Sequence, residues 1–93
     1  MLHKLKILPN HFESVIRGDK KFEIRDNTDR GFQKGDTVVL EEFDPQKSLT
    51  NIERCYTGKQ TMVNISYVSN FNQKDNYVVF GFSLIANEGF QQS

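Results

Sequence analysis

The sequence has a single cysteine, Cys55, and no run of apolar residues long enough to cross a bilayer. One cysteine excludes an intramolecular disulfide, and a cytoplasmic location is therefore the default expectation. Charges interrupt the apolar residues of the segment 1–6, so we expect neither a signal peptide nor an association with a membrane. His3 and His11 do not have the paired spacing of metal ligands, and we predict no metal and no other cofactor.

The chain carries no net charge, with 12 Lys and Arg against 12 Asp and Glu among its 93 residues. Its total charge therefore gives no general attraction to nucleic acid or to an anionic membrane. The distribution is uneven, because residues 1–35 carry eight basic and five acidic side chains, whereas the remainder carries four and seven. This length predicts one domain, spanning residues 1–93, with its basic surface in the N-terminal half.

One strand-like segment combines alternating apolar residues with a dense group of charges. In an extended conformation, Phe22 and Ile24 lie on one face, whereas Lys21, Glu23 and Arg25 lie on the other. The apolar face is predicted to be buried, which leaves the carboxylate on an accessible surface between two basic side chains. Such a surface suits a polar, partly anionic ligand.

The other elements follow from hydrophobic periodicity and turn residues. Residues 3–8 alternate as a first strand, and a short helix follows that ends at Gly18. This helix begins either with Pro9 at its first position or with a capping box at Asn10. Further features are predicted along the chain: strands at 37–43, 60–68 and 77–85, a turn at 56–59, a bulge or a bend at Gly81, an irregular connection at 44–53 and a frayed tail after Ala86.

This order of elements predicts a mixed α/β, mostly β domain. The most economical architecture is a small, partly closed β-barrel with one short helix after the first strand, covering an opening. Closure also reduces the number of free sheet edges. The predicted core comprises Leu5, Ile7, Phe12, Ile16, Phe22, Ile24, Val38, Leu40, Ile65, Val79 and Phe82.

Several segments resemble the ASCH domains of the PUA-like barrel superfamily. The most specific are Gly-Asp-Lys-Lys-Phe-Glu-Ile-Arg at 18–25 and the turn Lys-Gly-Asp at 34–36, which leads into an apolar strand. The segments 3–8 and 56–58 are similar to those of a small bacterial and phage branch of these domains. The resemblance covers nearly the whole chain, and it implies a small PUA-like β-barrel with a cleft beside the helix.

The resemblance also implies an RNA-related role, from binding structured RNA to hydrolysing the acetyl amide of a modified cytidine nucleoside. The hydrolytic members resemble this chain at Gly18, Lys20 and Arg25, but they carry a threonine, held to be catalytic, at the position of Glu23. Without that hydroxyl, a covalent route through it is closed. An amidohydrolase would instead use Glu23 as a general base on water, with Lys20 as the second catalytic candidate.

The favoured hypothesis is an RNA- or nucleotide-binding domain that performs no chemistry. Lys20, Lys21 and Arg25 would donate to phosphates or base edges, as the resemblance implies for basic residues of such a cleft. Glu23 would orient these side chains or accept from an exocyclic amine. Lys4 would join the same surface if the first strand lies beside the second.

Other interpretations of the same residues stay open. Alternating charges on a half-exposed strand are also typical of a solvated ladder of little energetic value, and surface lysines such as Lys4 more often serve only solubility. Tyr56 fits either stacking on a base or packing in a hydrophobic core. The irregular connection 44–53 would suit a protein-interaction adaptor.

Overall fold

The computed structural model describes residues 1–85, and the predicted frayed tail lies outside these residues. The strands are β1 (Leu2–Ile7), β2 (Phe22–Asp26), β3 (Thr37–Phe43), β4 (Tyr56–Ser69) and β5 (Tyr77–Leu84), and the helix α1 (Pro9–Arg17) follows β1. The connection between β3 and β4 contains two short 3₁₀ helices, Pro45–Lys47 and Ile52–Cys55. Across residues 1–85, no helix has the length and apolar character needed to cross a membrane.

The five strands form a single sheet in the order β1-β3-β4-β5-β2. β1 pairs with β3 in parallel, and the other neighbouring strands are antiparallel. β1 and β2 are the two edges of this sheet, and side chains from β2 and the loop after it reach the backbone of β1. The sheet is therefore curved into a partly closed barrel, which confirms the predicted mostly β fold with one helix after the first strand.

The ends of α1 are set by local backbone chemistry. Pro9 occupies the first helical turn, and the N-cap residue Leu8 makes no side-chain cap hydrogen bond, so the Pro9 start is confirmed and the capping box is not formed. Gly18 ends the helix with φ +84°, a left-handed conformation that costs glycine little. Phe12 and Val15 are buried and attach the helix to the barrel core.

The barrel core is built from alternate residues of the strands. Val38, Val39 and Leu40 are all buried, as predicted for a strand covered on both faces. The core cluster consists of Leu5, Ile7, Phe12, Val15, Phe32, Val38, Leu40, Val63, Ile65, Val78, Phe80 and Phe82. Seven of the eleven residues predicted for the core lie in this cluster.

The predicted orientation of β2 is wrong. Phe22 is 47% exposed and Ile24 is 48% exposed, whereas Glu23 is only 6% exposed. The strand therefore presents its charged face to the barrel interior. β2 is an edge strand that pairs with β5 and forms the seam with the other edge strand, β1, and charged side chains fill that part of the interior. A shift of one residue in the register of a strand moves every side chain to the opposite face of the sheet.

Two further core predictions are corrected by the packing. Ile16 is 48% exposed because the helix turns the adjacent Val15, 1% exposed, onto the core. Val79 is half-buried and outside the core cluster. The pairing of β5 with β2 has no bulge at Gly81, so Val78, Phe80 and Phe82 keep a strict alternation towards the interior.

The irregularities of the sheet lie in β4. A turn at 56–59 was predicted, but β4 runs through this segment, which carries two more residues than the opposing part of β3. Gly58 lies within this insertion and accommodates it by adopting a left-handed backbone conformation, with φ +92°. A second register shift lies between Ile65 and Tyr67, opposite Gly81, and it turns Tyr67 outwards with 66% exposure.

Candidate functional site

A carboxylate and two basic side chains meet inside the seam of the barrel. Arg25 Nε donates to Glu23 Oε1 over 3.1 Å, and Lys20 Nζ lies 3.8 Å from Glu23 Oε2. The Glu23 side chain is 7% exposed, whereas those of Lys20 and Arg25 are 18% and 25% exposed. The alternation of β2 aims Glu23 and Arg25 inwards, and Lys20 reaches the carboxylate from the turn that follows Gly18.

One oxygen of this carboxylate has no hydrogen-bond donor. Glu23 Oε2 is the single buried side-chain N or O atom without a hydrogen-bond partner among residues 1–85, since Lys20 Nζ at 3.8 Å is too distant to donate. An unsatisfied buried acceptor costs about 1–3 kcal/mol, and more if it is charged. Native structures contain few such atoms, and each one calls for an explanation such as a functional role.

Arg25 also closes the barrel. Its Nη2 donates to the backbone oxygen of Lys6 over 3.1 Å, and Arg30 Nη1 donates to the backbone oxygen of Lys4 over 3.2 Å. Among residues 1–85, no strand pairs with the edge of β1 on which these carbonyl groups lie. Two arginines therefore satisfy an edge that strand pairing leaves open, and one of them also holds the buried carboxylate.

A small cavity of about 260 Å³ lies between the end of α1 and the end of β5. Its lining is mainly apolar with two cations: Val15, Gly18, Lys20, Lys21, Phe82, Ser83 and Leu84. Lys20 belongs to this lining and to the ion pair with Glu23, so the cavity and the charged cluster adjoin. A larger groove of about 500 Å³ lies on the other side of α1, but none of the clustered charges lines it.

The sequence-predicted site residues separate into two groups. Lys20, Glu23 and Arg25 come together, and Lys21 is exposed at the margin of the small cavity. The predicted neighbour of Glu23 was Lys21, but Lys20 takes this place because β2 begins only at Phe22.

Lys4 and Tyr56 lie outside this cluster. Lys4 is exposed on the outer face of β1, since the alternation of this strand sends Leu5 to the core. Tyr56 packs edge-on against Phe43 with 5.0 Å between ring centroids, and Lys6 Nζ lies 4.6 Å from the Phe43 ring centroid. Lys6, Phe43 and Tyr56 thus form a separate outer-face group.

Sequence reasoning missed a second buried carboxylate. Glu42 is 5% exposed and accepts a hydrogen bond of 2.6 Å from Thr57 Oγ1. The signal was present in the sequence, because Glu42 follows Val38 and Leu40 at the strand period and so shares their inward face. Its hydroxyl donor comes from the bulge of β4 around Gly58, which periodicity does not reveal.

A buried histidine anchors the turn before β3. His3 Nε2 lies 2.8 Å from Asp36 Oδ2, and the same oxygen accepts from the backbone N–H of Gln33. The hydrogen bond from His3 is the main cause that lowers the pKa of Asp36 to about 2. Within residues 1–85, no three His, Cys, Asp or Glu side chains are grouped in a way that could hold a metal ion.

Together these features define a class of protein: a small, partly closed β-barrel with a buried, incompletely paired carboxylate at the seam between its edge strands. The chain belongs to the family described as "Domain of unknown function (DUF3850)", whose model matches residues 2–82. It is 27% identical over 71 residues to a relative from Escherichia phage P2, described as an uncharacterized 12.9 kDa protein in the GpA 3′ region. That alignment covers 76% of this chain and 57% of the relative, so the chain spans just over half of the relative's length.

Proposed function

We propose that this protein is an RNA- or nucleotide-binding domain that receives a nucleobase at Glu23. The observation that carries the proposal is the buried oxygen Oε2 of Glu23, which lacks a hydrogen-bond donor in a cluster of otherwise paired charges. A ligand that supplies an N–H group at this point would satisfy the acceptor. The resemblance to ASCH domains supports the same class of ligand.

An exocyclic amine of a nucleobase fits the chemistry of this acceptor. Glu and Asp accept from the amine of cytosine in nucleic-acid complexes. The adjoining cavity of about 260 Å³ is slightly below the size range of drug-sized ligand pockets, about 300–1,000 Å³, which suits a single base or nucleoside. Its mainly apolar lining offers a surface for a planar ring.

The cations around the cavity supply the charge that a phosphate requires. Lys20 and Lys21 both line the cavity, and Lys21 is exposed and forms no ion pair within residues 1–85. A lysine ammonium binds phosphate as a point charge. Arg25 is held in place by Glu23 and by the Lys6 backbone, so we assign it the role of positioning the carboxylate. A cytoplasmic location accompanies this proposal.

The test is a titration of the protein at low salt with the four ribonucleoside monophosphates. We expect cytidine, adenosine or guanosine monophosphate to bind about 5- to 150-fold more tightly than uridine monophosphate, which has no exocyclic amine. Glu23→Gln should reduce this discrimination, whereas Lys4→Ala, on the outer face of β1, should leave it unchanged. If the wild-type protein has no measurable affinity for any nucleotide or RNA, the proposed function is wrong.

A hydrolytic function is the second candidate, and the pairing of Glu23 Oε2 with Lys20 favours it. A carboxylate with a free oxygen beside a lysine is able to act as a general base on water. The expected reaction would be hydrolysis of the amide of an acylated cytidine-type nucleoside. The hydrolytic function would be supported if the wild type turned over acetylcytidine faster than the Glu23→Gln variant. Equal rates would refute it, and only the binding function would remain.

A further inference from the structure

The outer face of the sheet carries a slot between two exposed aromatic side chains. Gly81 of β5 pairs directly with Phe22 of β2 on one side and with Tyr67 of β4 on the other. Phe22 is 47% exposed and Tyr67 is 66% exposed. Paired residues project to the same face of a sheet, so the two rings rise on either side of a position without a side chain.

Neither backbone strain nor space explains the glycine at position 81. A Cβ added at Gly81 would meet Ser66 Oγ at 3.7 Å and the backbone oxygen of Lys21 at 3.8 Å, which are ordinary contacts. Its φ angle lies outside the left-handed region that requires glycine, the pairing of β5 with β2 is regular, and the register shift in the pairing with β4 has its extra residue on β4 and not at Gly81. A glycine inside a strand then points to the close approach of a ligand or of another backbone.

The dimensions of the slot suit a planar ring. Neighbouring strands lie about 4.8 Å apart, so a ring above Gly81 is about 5 Å from each aromatic neighbour. This separation falls within the range of about 4.5–7 Å found between the centroids of interacting aromatic rings. Aromatic side chains on a sheet surface bind unstacked bases in several single-strand recognition modules.

Lys20 connects this slot with the interior site. Its Nζ lies 4.5 Å from the centroid of the Phe22 ring on the outer face and 3.8 Å from Glu23 Oε2 on the inner face. The exposed Lys21 lies between Lys20 and Phe22 in the chain. Two cations therefore stand where a phosphodiester backbone would pass from one face of β2 to the other, and their charge complements it.

We propose that the ligand is a single-stranded oligonucleotide that places one base at Glu23 and a neighbouring base in the slot formed by Phe22, Gly81 and Tyr67. This inference rests on the proposed function, and it assigns the outer-face aromatic residues to the same ligand. A mononucleotide fills only the interior position. The oligonucleotide gains a second contact surface, and it therefore binds more tightly than the mononucleotide.

The experiment compares cytidine monophosphate with a single-stranded cytidine pentanucleotide by calorimetry or fluorescence anisotropy. Tyr67→Leu should weaken the affinity for the pentanucleotide about 5- to 150-fold, the range measured for the loss of one stacked base, and should leave the affinity for the mononucleotide unchanged. Gly81→Val fills the slot with a strand-favouring residue and should have the same selective effect. Phe71→Leu is the matched control, because it removes an exposed aromatic side chain of the β4–β5 connection, and it should change neither affinity.

The outcomes separate this inference from the proposed function. The slot is refuted and the interior site stands if the mononucleotide binds and the pentanucleotide binds no more tightly. The same conclusion follows if both slot variants retain full affinity for the pentanucleotide. If slot variants abolish pentanucleotide binding but Glu23→Gln affects neither ligand, the slot is supported and the interior site is refuted. If neither ligand binds, both are refuted. A self-association that Tyr67→Leu disrupts, with unchanged nucleotide binding, would assign this face to a second copy of the chain and also refute the slot.

Discussion

Replacing Arg25 by alanine should destabilise the protein mainly through the carboxylate it leaves behind. In the native structure, Arg25 Nε donates to Glu23 Oε1 over 3.1 Å, and the Glu23 side chain is only 7% exposed. Without the guanidinium group, the nearest remaining cation is Lys20, 3.8 Å from the other oxygen. The carboxylate would then be buried with two oxygens that lack a hydrogen-bond donor.

The size of this effect follows from the burial of the pair. Removing one partner of a fully buried ion pair costs about 3–5 kcal/mol, and the 25% exposure of Arg25 reduces the expected cost to about 2–3 kcal/mol. Loss of the hydrogen bond to the Lys6 backbone adds about 0.5–1 kcal/mol. For a domain of this size, the melting temperature should fall by roughly 10–20 °C.

The informative assay is a double-mutant cycle measured by urea unfolding. Glu23→Gln removes the buried charge but keeps an oxygen for Arg25, so we expect a change in the free energy of unfolding of less than about 1 kcal/mol. In the Glu23→Gln background, Arg25→Ala should cost only about 1 kcal/mol, because no buried charge is left unpaired. The expected coupling energy, the difference between the two costs of Arg25→Ala, is therefore about 1.5–3 kcal/mol.

Equal costs of Arg25→Ala in the two backgrounds would refute this reasoning. Such a result would mean that Glu23 and Arg25 are energetically independent and that the carboxylate is better hydrated than its exposure indicates. Arg25→Lys is a useful companion variant, since it keeps the charge but loses the planar fork that joins Glu23 to the Lys6 backbone. It should lie between the wild type and Arg25→Ala in stability.

Three further predictions concern single groups elsewhere in the barrel. Because the hydrogen bond from His3 lowers the pKa of Asp36 to about 2, the ionised carboxylate should add about 2 kcal/mol to the free energy of unfolding above pH 4, and this contribution should be lost as the pH falls from 4 to 2. The urea midpoints of Asp36→Asn and of the wild type should therefore converge over this range. A constant difference between the two midpoints would argue against the assignment. Thr57→Val should cost about 1.5–3 kcal/mol by removing the hydroxyl that donates to buried Glu42, and a loss below about 0.5 kcal/mol in urea unfolding would show that this hydrogen bond adds no stability. Gly18→Ala should cost about 1 kcal/mol or more because φ is +84°, and an unchanged melting temperature would contradict the role of this residue as a left-handed cap.

Local chemistry in the sequence determined the helix and the most buried strand. Pro9 fixes a backbone angle that suits the first turn of a helix, and Gly18 accepts the left-handed conformation that ends it. The β-branched run at 38–39 predicted a strand buried on both faces, as observed. The cluster of Lys20, Glu23 and Arg25 was also visible in the sequence as a dense group of charges.

Tertiary structure alone decided which side of β2 faces the core. Alternation gives two faces and does not say which is inside, and the apolar pair Phe22 and Ile24 was the reasonable assignment from sequence. β2 became an edge strand of a curved sheet through its pairing with β5, and its interior neighbour across the seam is the unpaired backbone of β1 rather than a hydrophobic surface. The register with β5 decides the facing, because it pairs Glu23 with Phe80 and Arg25 with Val78, which both lie in the core. Arg25 then satisfies the backbone of β1 and holds Glu23 inside.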